Sequence, residues 1–271
     1  DGNFSIITAA GTGIYVEPSA VETGTYLVTE GDPGNVGTGF NLTALVCDDG
    51  NSTVDLATRT ATIIVDPEET ITCTFTNTAQ GTIIVEKRTF PDTALDTFNF
   101  TGDASGDIAH GAQIVVGNLV PGAYSSTETP LAGWDLTGIS CDDANSTGDT
   151  VTGIATFNVE AGEIVTCTFT NTQRGSIEVV KQVLPVGANI QAFTMTAGGD
   201  FFFDGVGGAD TSEDLTPASD VANASTGAIE VLPASTYTVT ETMPTGWFEA
   251  AVPVCSDGSD PSAISLEPGE T

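Results

Sequence analysis

The chain has 271 residues, with 5 lysines and arginines against 37 aspartates and glutamates, a net charge of −32. That balance repels phosphate backbones and anionic lipid heads and argues against nucleic acid or a membrane surface as a partner. A hydrophobic content of 39% is enough for packed cores and excludes a disordered acidic tail. No apolar run approaches the roughly 18 residues of a membrane span. One histidine, two lysines and five cysteines leave little for conventional catalysis, so no enzyme, metal or cofactor is expected.

In chain order, one pattern occurs three times. Asp1-Gly2-Asn3-Phe4 has no basic n-region of a secretion signal and aligns with Asp96 to Phe100. Tyr26-Leu27-Val28-Thr29-Glu30 and Gly39-Phe40-Asn41-Leu42-Thr43 follow, and Thr70 to Asn77 alternates Ile71, Cys73 and Phe75 against threonines, the period of a half-buried strand. The second copy opens on the β-branched run Gly81-Thr82-Ile83-Ile84-Val85-Glu86-Lys87 and passes through Tyr124 to Glu128 and Gly133-Trp134. It ends on Cys167-Thr168-Phe169-Thr170-Asn171-Thr172, the counterpart of Cys73 to Thr78. The third opens on Gly175-Ser176-Ile177-Glu178-Val179-Val180-Lys181 and carries Tyr237 to Glu241, Pro244 and Gly246-Trp247. Turn signals such as Pro121-Gly122, Gly148-Asp149, Ala161-Gly162 and Pro268-Gly269 fall at short intervals, and no stretch has a 3.6 period. The expected architecture is all-β: a tandem array of three antiparallel β-sandwich modules at 1–80, 81–174 and 175–271. The first module lacks the lysine-bearing first strand. Aligning Pro268 to Thr271 with Pro67 to Thr70 stops the third just before its last strand.

Cys47 and Cys73 are spaced as Cys141 and Cys167 are, at equivalent places in two modules. One disulfide per module, in an oxidising extracellular setting, is the reading; free buried thiols are the alternative. Without a CxxC pair or a histidine cluster, metal ligation is disfavoured. Cys255 follows Trp247 as Cys141 follows Trp134, but has no partner. Both lysines of the chain, Lys87 and Lys181, end the first strand of a module. Glu30, Glu128 and Glu241 are equivalent, and Asn77 and Asn171 close last strands. Inside one sandwich these would allow two arrangements. In one, a lysine–asparagine isopeptide bond forms with the glutamate as proton donor. In the other, Lys87 and Glu128 form a salt bridge and Asn171 caps a turn.

Strand-ending Lys87, then Glu128-Thr129-Pro130-Leu131-Ala132-Gly133-Trp134, then Thr168-Phe169-Thr170-Asn171 resembles the prealbumin-like, Cna-B/SpaA-type domains of bacterial surface proteins and pili. The resemblance covers all three modules and is complete only in the second. It implies a Lys87–Asn171 isopeptide bond catalysed by Glu128. It leaves incomplete sets in the first module (Glu30 and Asn77, no lysine) and in the third (Lys181 and Glu241, no asparagine). The cysteine pairs are an addition that many such domains lack.

Asn3, Asn41, Asn51, Asn99, Asn145 and Asn223 stand in glycosylation sequons, so covalent glycans are an expected partner. The acidic loops after Cys47 and Cys141 match no Ca²⁺-binding spacing and read as solvated turns. His110 reads as exposed and inert, and Phe201-Phe202-Phe203 as a subunit contact. The function this supports is a structural subunit of an extracellular fibre, pilus-like filament or surface stalk of a bacterial cell. Its partners would be copies of itself, joined head to tail by strand complementation. A surface adhesin for a glycan or host protein is the alternative.

Overall fold

The structure, a computed structural model, describes residues 4–6, 11–31, 39–184, 191–198, 203, 211–217, 223–233 and 235–271. Asn3, Phe201 and Phe202 lie outside the described residues. Regular structure is β throughout them. The first repeat contains β1 (Gly24–Thr29), β2 (Phe40–Cys47), β3 (Thr53–Asp55), β4 (Thr60–Val65) and β5 (Cys73–Ala79). The second contains β6 (Gly81–Phe90), β7 (Phe98–Gly102), β8 (Gly106–Ile108), β9 (Gln113–Leu119), β10 (Gly122–Glu128), β11 (Trp134–Cys141), β12 (Thr147–Asp149), β13 (Ile154–Val159) and β14 (Ile164–Gln173). The third contains β15 (Gly175–Gln182), β16 (Phe193–Gly198), β17 (Ser212–Leu215), β18 (Asn223–Val231), β19 (Thr236–Thr242) and β20 (Ile264–Ser265). The chain folds as two compact units, 1–81 with 118–120, and 82–117 with 121–271.

The second repeat shows the plan most fully. One sheet has the order β12-β13-β10-β7-β8 and the other β11-β14-β6-β9. The inner faces follow from strict alternation. Along β6 the buried positions are Gly81, Ile83, Val85, Lys87 and Thr89; along β14 they are Val165, Cys167, Phe169 and Asn171. Phe98, Phe100, Ala155 and Phe157 face them from the other sheet. Edge-to-face pairs Phe100–Phe169 and Phe98–Trp134, with centroids 5.0 and 5.3 Å apart, join the two layers. Pairing is antiparallel except between β6 and β14, which run parallel with Lys87 opposite Phe169 and Thr89 opposite Asn171. The first and last strands of the repeat are therefore hydrogen-bonded neighbours.

The other repeats carry parts of the same plan. In the first, β1-β4-β3 and β2-β5 correspond to β10-β13-β12 and β11-β14, and among the described residues no strand precedes Gly24. In the third, β15-β18 corresponds to β6-β9, and β17-β16-β19-β20 to β8-β7-β10-β13. Its apolar core is in two pieces, one around Ile177, Ile229 and Tyr237 and one around Phe193, Met195 and Leu215.

Candidate functional site

Three strands aim a polar side chain into the middle of the second repeat. Lys87 takes the inward position after Ile83 and Val85 on β6, Asn171 the one after Cys167 and Phe169 on β14, and Glu128 closes β10 two residues after buried Ser126. All three are buried. Lys87 Nζ donates to Asn171 Oδ1 at 2.6 Å, and Asn171 Nδ2 donates to Glu128 Oε1 at 2.6 Å. Glu128 Oε2 lies 3.4 Å from Lys87 Nζ, closing a ring of three groups. The Phe98 ring sits 4.1 Å from the amine on its apolar side. Gly153 holds the end of β10 close: Glu128 N donates to its carbonyl at 2.9 Å, and a Cβ on Gly153 would lie 2.9 Å from the Glu128 carbonyl oxygen.

Burial sets the proton affinities. Taking the Lys87 ammonium out of water lowers its pKa from 10.5 to about 8, with the Glu128 charge and hydrogen bond opposing part of that shift. Burial also raises Glu128, against the charge of Lys87 and the bonds from Asn171 and Lys87. Both shifts move the pair toward a neutral amine and a neutral acid, the forms needed for nucleophilic attack and proton donation.

The equivalent positions are half-filled elsewhere. In the first repeat Asn77 Nδ2 donates to Glu30 Oε1 at 2.6 Å, while Glu30 Oε2 is buried without a hydrogen-bond partner among the described residues. In the third repeat Lys181 Nζ meets Glu241 Oε1 at 2.6 Å, with Phe193 4.3 Å from the amine.

Disulfides join Cys47 to Cys73 and Cys141 to Cys167, each spanning 26 residues and each linking residues directly opposite in an antiparallel pair. Cys255 is a free thiol. The acidic loops prove to be structural. Asp48 and Asp142 each accept a backbone N–H across the strand pair, from Thr72 and Thr166 at 2.7 Å. Asp143 accepts from Ser146 Oγ, which in turn accepts from Asn158 N. His110 corrects the expectation of an exposed residue: it is half-buried and its Nδ1 accepts from Thr89 N at 2.9 Å. Phe203 is half-buried and packs against both core pieces of the third repeat. Among the sequons, Asn51, Asn99, Asn145 and Asn223 are exposed, whereas Asn41 is half-buried and accepts from Gln80.

Two facing sheets closed by adjacent first and last strands define a prealbumin-like β-sandwich. The chain belongs to the family of prealbumin-like fold domains, whose model matches residues 2–79 and 83–173. No curated protein sequence gives a significant match. Similar solved structures include a streptococcal ancillary pilin (13% identity, TM-score 0.31, covering 78% of this chain and 74% of that one). Another is the Bacillus anthracis TIE protein (16%, 0.31, 79% and 37%). A third is a Mobiluncus mulieris adhesin containing intramolecular disulfide, isopeptide and ester cross-links (15%, 0.29, 40% and 46%). The chain thus spans less than half the length of the latter two. Among the described residues no helix is long and apolar enough to cross a membrane.

Proposed function

We propose that the chain is a structural subunit of an extracellular fibre, pilus-like filament or stalk on a bacterial surface. It is organised as modules at 1–80, 81–174 and 175–271 and stapled by disulfides and an isopeptide bond. The observation that carries this reading is the buried ring formed by Lys87 and Asn171, on adjacent parallel strands, with Glu128 from the facing sheet. Lys87 passes a proton to Glu128 Oε2, and the freed amine attacks Asn171 Cγ. The Nζ–Cγ bond forms as Cγ–Nδ2 breaks. Glu128 Oε1, beside Nδ2, returns a proton to the leaving nitrogen as Nζ gives up another, and ammonia departs. The products are a secondary amide, ammonia and a neutral Glu128 acid, with no external reagent consumed. Such a bond joins the first strand to the last, so tension on the two ends of the module loads a covalent link. Complementation by strands of neighbouring copies joins modules head to tail, and covalent glycans at Asn51, Asn99, Asn145 and Asn223 belong to the same reading.

Intact-mass measurement tests it. The expected mass is about 17 Da below that of the disulfide-bonded sequence, one ammonia per bond, and Glu128→Ala restores the missing mass. A native chain without the deficit overturns the cross-link, and a deficit that survives in Glu128→Ala overturns the role of the glutamate. Filaments in negative-stain microscopy support strand exchange between copies; uniform monomers reject it.

A further inference from the structure

The second repeat holds a histidine that the proposed chemistry does not use, and its contacts end on the strand that carries Lys87. The turn between β8 and β9, closed by a bond from Ala112 N to Ala109 O at 3.1 Å, lies along one edge of β6. There Gly111 N donates to Lys87 O at 2.8 Å, and Lys87 N donates to Ala112 O at 3.1 Å. Two residues further along, the same edge of β6 is met by a side chain: Thr89 N donates to His110 Nδ1 at 2.9 Å. Nδ1 is therefore unprotonated, and the neutral imidazole carries its hydrogen on Nε2. The consecutive residues His110, Gly111 and Ala112 thus hold the last two inward positions of β6.

Thr89 connects this turn to the buried ring. It is 1% exposed, it is the next inward residue after Lys87, and it lies opposite Asn171 in the parallel pairing with β14. Its hydroxyl is fixed as well: Oγ1 donates to the Pro91 carbonyl at 2.9 Å and lies 3.0 Å from His110 Nδ1. Phe98 covers the amine from one side at 4.1 Å, and Thr89 stands beside both Lys87 and Asn171 where β6 runs out. A backbone N–H buried at this depth needs an acceptor, and the imidazole supplies it.

We infer that His110 is a positioning residue for the Lys87–Asn171 bond: through Thr89 it fixes the end of β6 and closes the ring of reacting groups against water. This rests on the cross-linking proposed for the second repeat, and His110 touches none of the reacting atoms. Attack of Nζ on Cγ requires that β6 and β14 keep their register and that the amine be uncharged. A frayed end of β6 admits water, which stabilises the ammonium and withdraws the nucleophile. Glu128, from β10, is the ionisable group that faces Lys87, while Glu86 and Arg88 stand on the outer face of β6. The neighbouring β7, β9 and β14 carry no ionisable side chain apart from disulfide-bonded Cys167.

The test follows the full chain after refolding and reads the rate at which the deficit of about 17 Da appears, as a function of pH. His110→Leu, which fills the space without offering an acceptor, is expected to slow cross-linking by about tenfold or more. It should also move the pH of half-maximal rate upward, as Lys87, lowered by burial to about 8, returns toward its ordinary 10.5. His110→Asn, whose Oδ1 takes the place of Nδ1, should restore both the rate and the profile. Equal rates in all three chains overturn the inference. So does a slowing in His110→Leu that leaves the pH profile in place, or one that His110→Asn does not relieve. Urea midpoints in the Asn171→Ala background, which cannot cross-link, report whether each variant folds. Should His110→Leu not fold, His110→Asn is compared with His110→Gln, whose amide reaches one bond farther. A native-like Asn chain and a slowed Gln chain support the positioning role, and equal rates overturn it. A native deficit with unaffected variants removes this inference alone, whereas a native chain without the deficit removes the cross-linking reading and this inference together.

Discussion

The second and third repeats contain the same lysine, the same glutamate and the same aromatic ring over the amine, yet their surroundings differ. Lys87 and Glu128 are buried with Asn171 between them, whereas Lys181 and Glu241 touch each other and remain 15% exposed. What separates the two is one strand. β14 covers β6, supplies Phe169 to the core and supplies the amide that holds the pair apart. The first repeat is the converse, with the glutamate and asparagine in contact and a buried carboxylate oxygen without a hydrogen-bond partner where the second repeat has its amine. The buried ring thus belongs to the repeat in which both sheets are present, because desolvation needs both faces covered.

Removing Lys87 is the largest perturbation, since it converts the second repeat to the state of the first. Lys87→Ala leaves Glu128 buried and unpaired, and we expect the mass deficit to vanish and stability to fall by about 3–5 kcal/mol, read by denaturant titration. Next comes the disulfide. Cys141→Ser with Cys167→Ser releases a loop of 26 residues and is expected to cost about 3 kcal/mol in the chain-entropy model, with the isopeptide deficit retained, since the two staples lie at different places along β14. A chain that loses both together would show that the disulfide is needed to seat Asn171.

A smaller effect is expected at Gly153, which has a left-handed φ of 70° and abuts the Glu128 carbonyl. Gly153→Ala should cost about 1–2 kcal/mol and slow cross-linking by displacing Glu128, measured as the rate at which ammonia is lost after refolding. Its counterpart in the first repeat is Arg59, also at positive φ, whose carbonyl accepts from Glu30 N. Asn171→Ala, which keeps Lys87 and Glu128 but cannot form the bond, should show a pH dependence. Lys87 is lowered to about 8 from 10.5, so the unfolded chain binds more protons between those values and stability should climb with pH across that window. Glu128 is raised from 4.5, so the folded chain binds more protons just above that pH and stability should decline there as pH rises. Urea midpoints measured from about pH 4 to 10.5 would show both slopes; a flat profile would mean that water reaches the pair.

Much of the site was legible as repetition. Two lysines falling at the same place in two repeats, glutamates after Tyr-x-x-Thr in three, and asparagines ending two Cys-Thr-Phe-Thr-Asn runs identified the participants, and equal cysteine spacing identified the disulfides. Strand alternation is local, so the all-β class and the inward face of Thr70 to Asn77 could be read from composition and period alone. The roles of His110 and of the acidic loops were not legible, because each depends on a partner distant in sequence: Thr89 for His110, Thr72 for Asp48, Thr166 for Asp142.

The sequence by itself determined which residues are candidates and that they recur, since β-periodicity and repeat phase are properties of neighbours along the chain. The tertiary structure alone decided that β6 and β14 lie side by side and parallel, that Glu128 reaches both Lys87 and Asn171, and that all three are buried. Those outcomes depend on which strands cover one another. Burial, and with it the proton affinity of a lysine or a glutamate, comes from atoms brought in from strands far away along the chain.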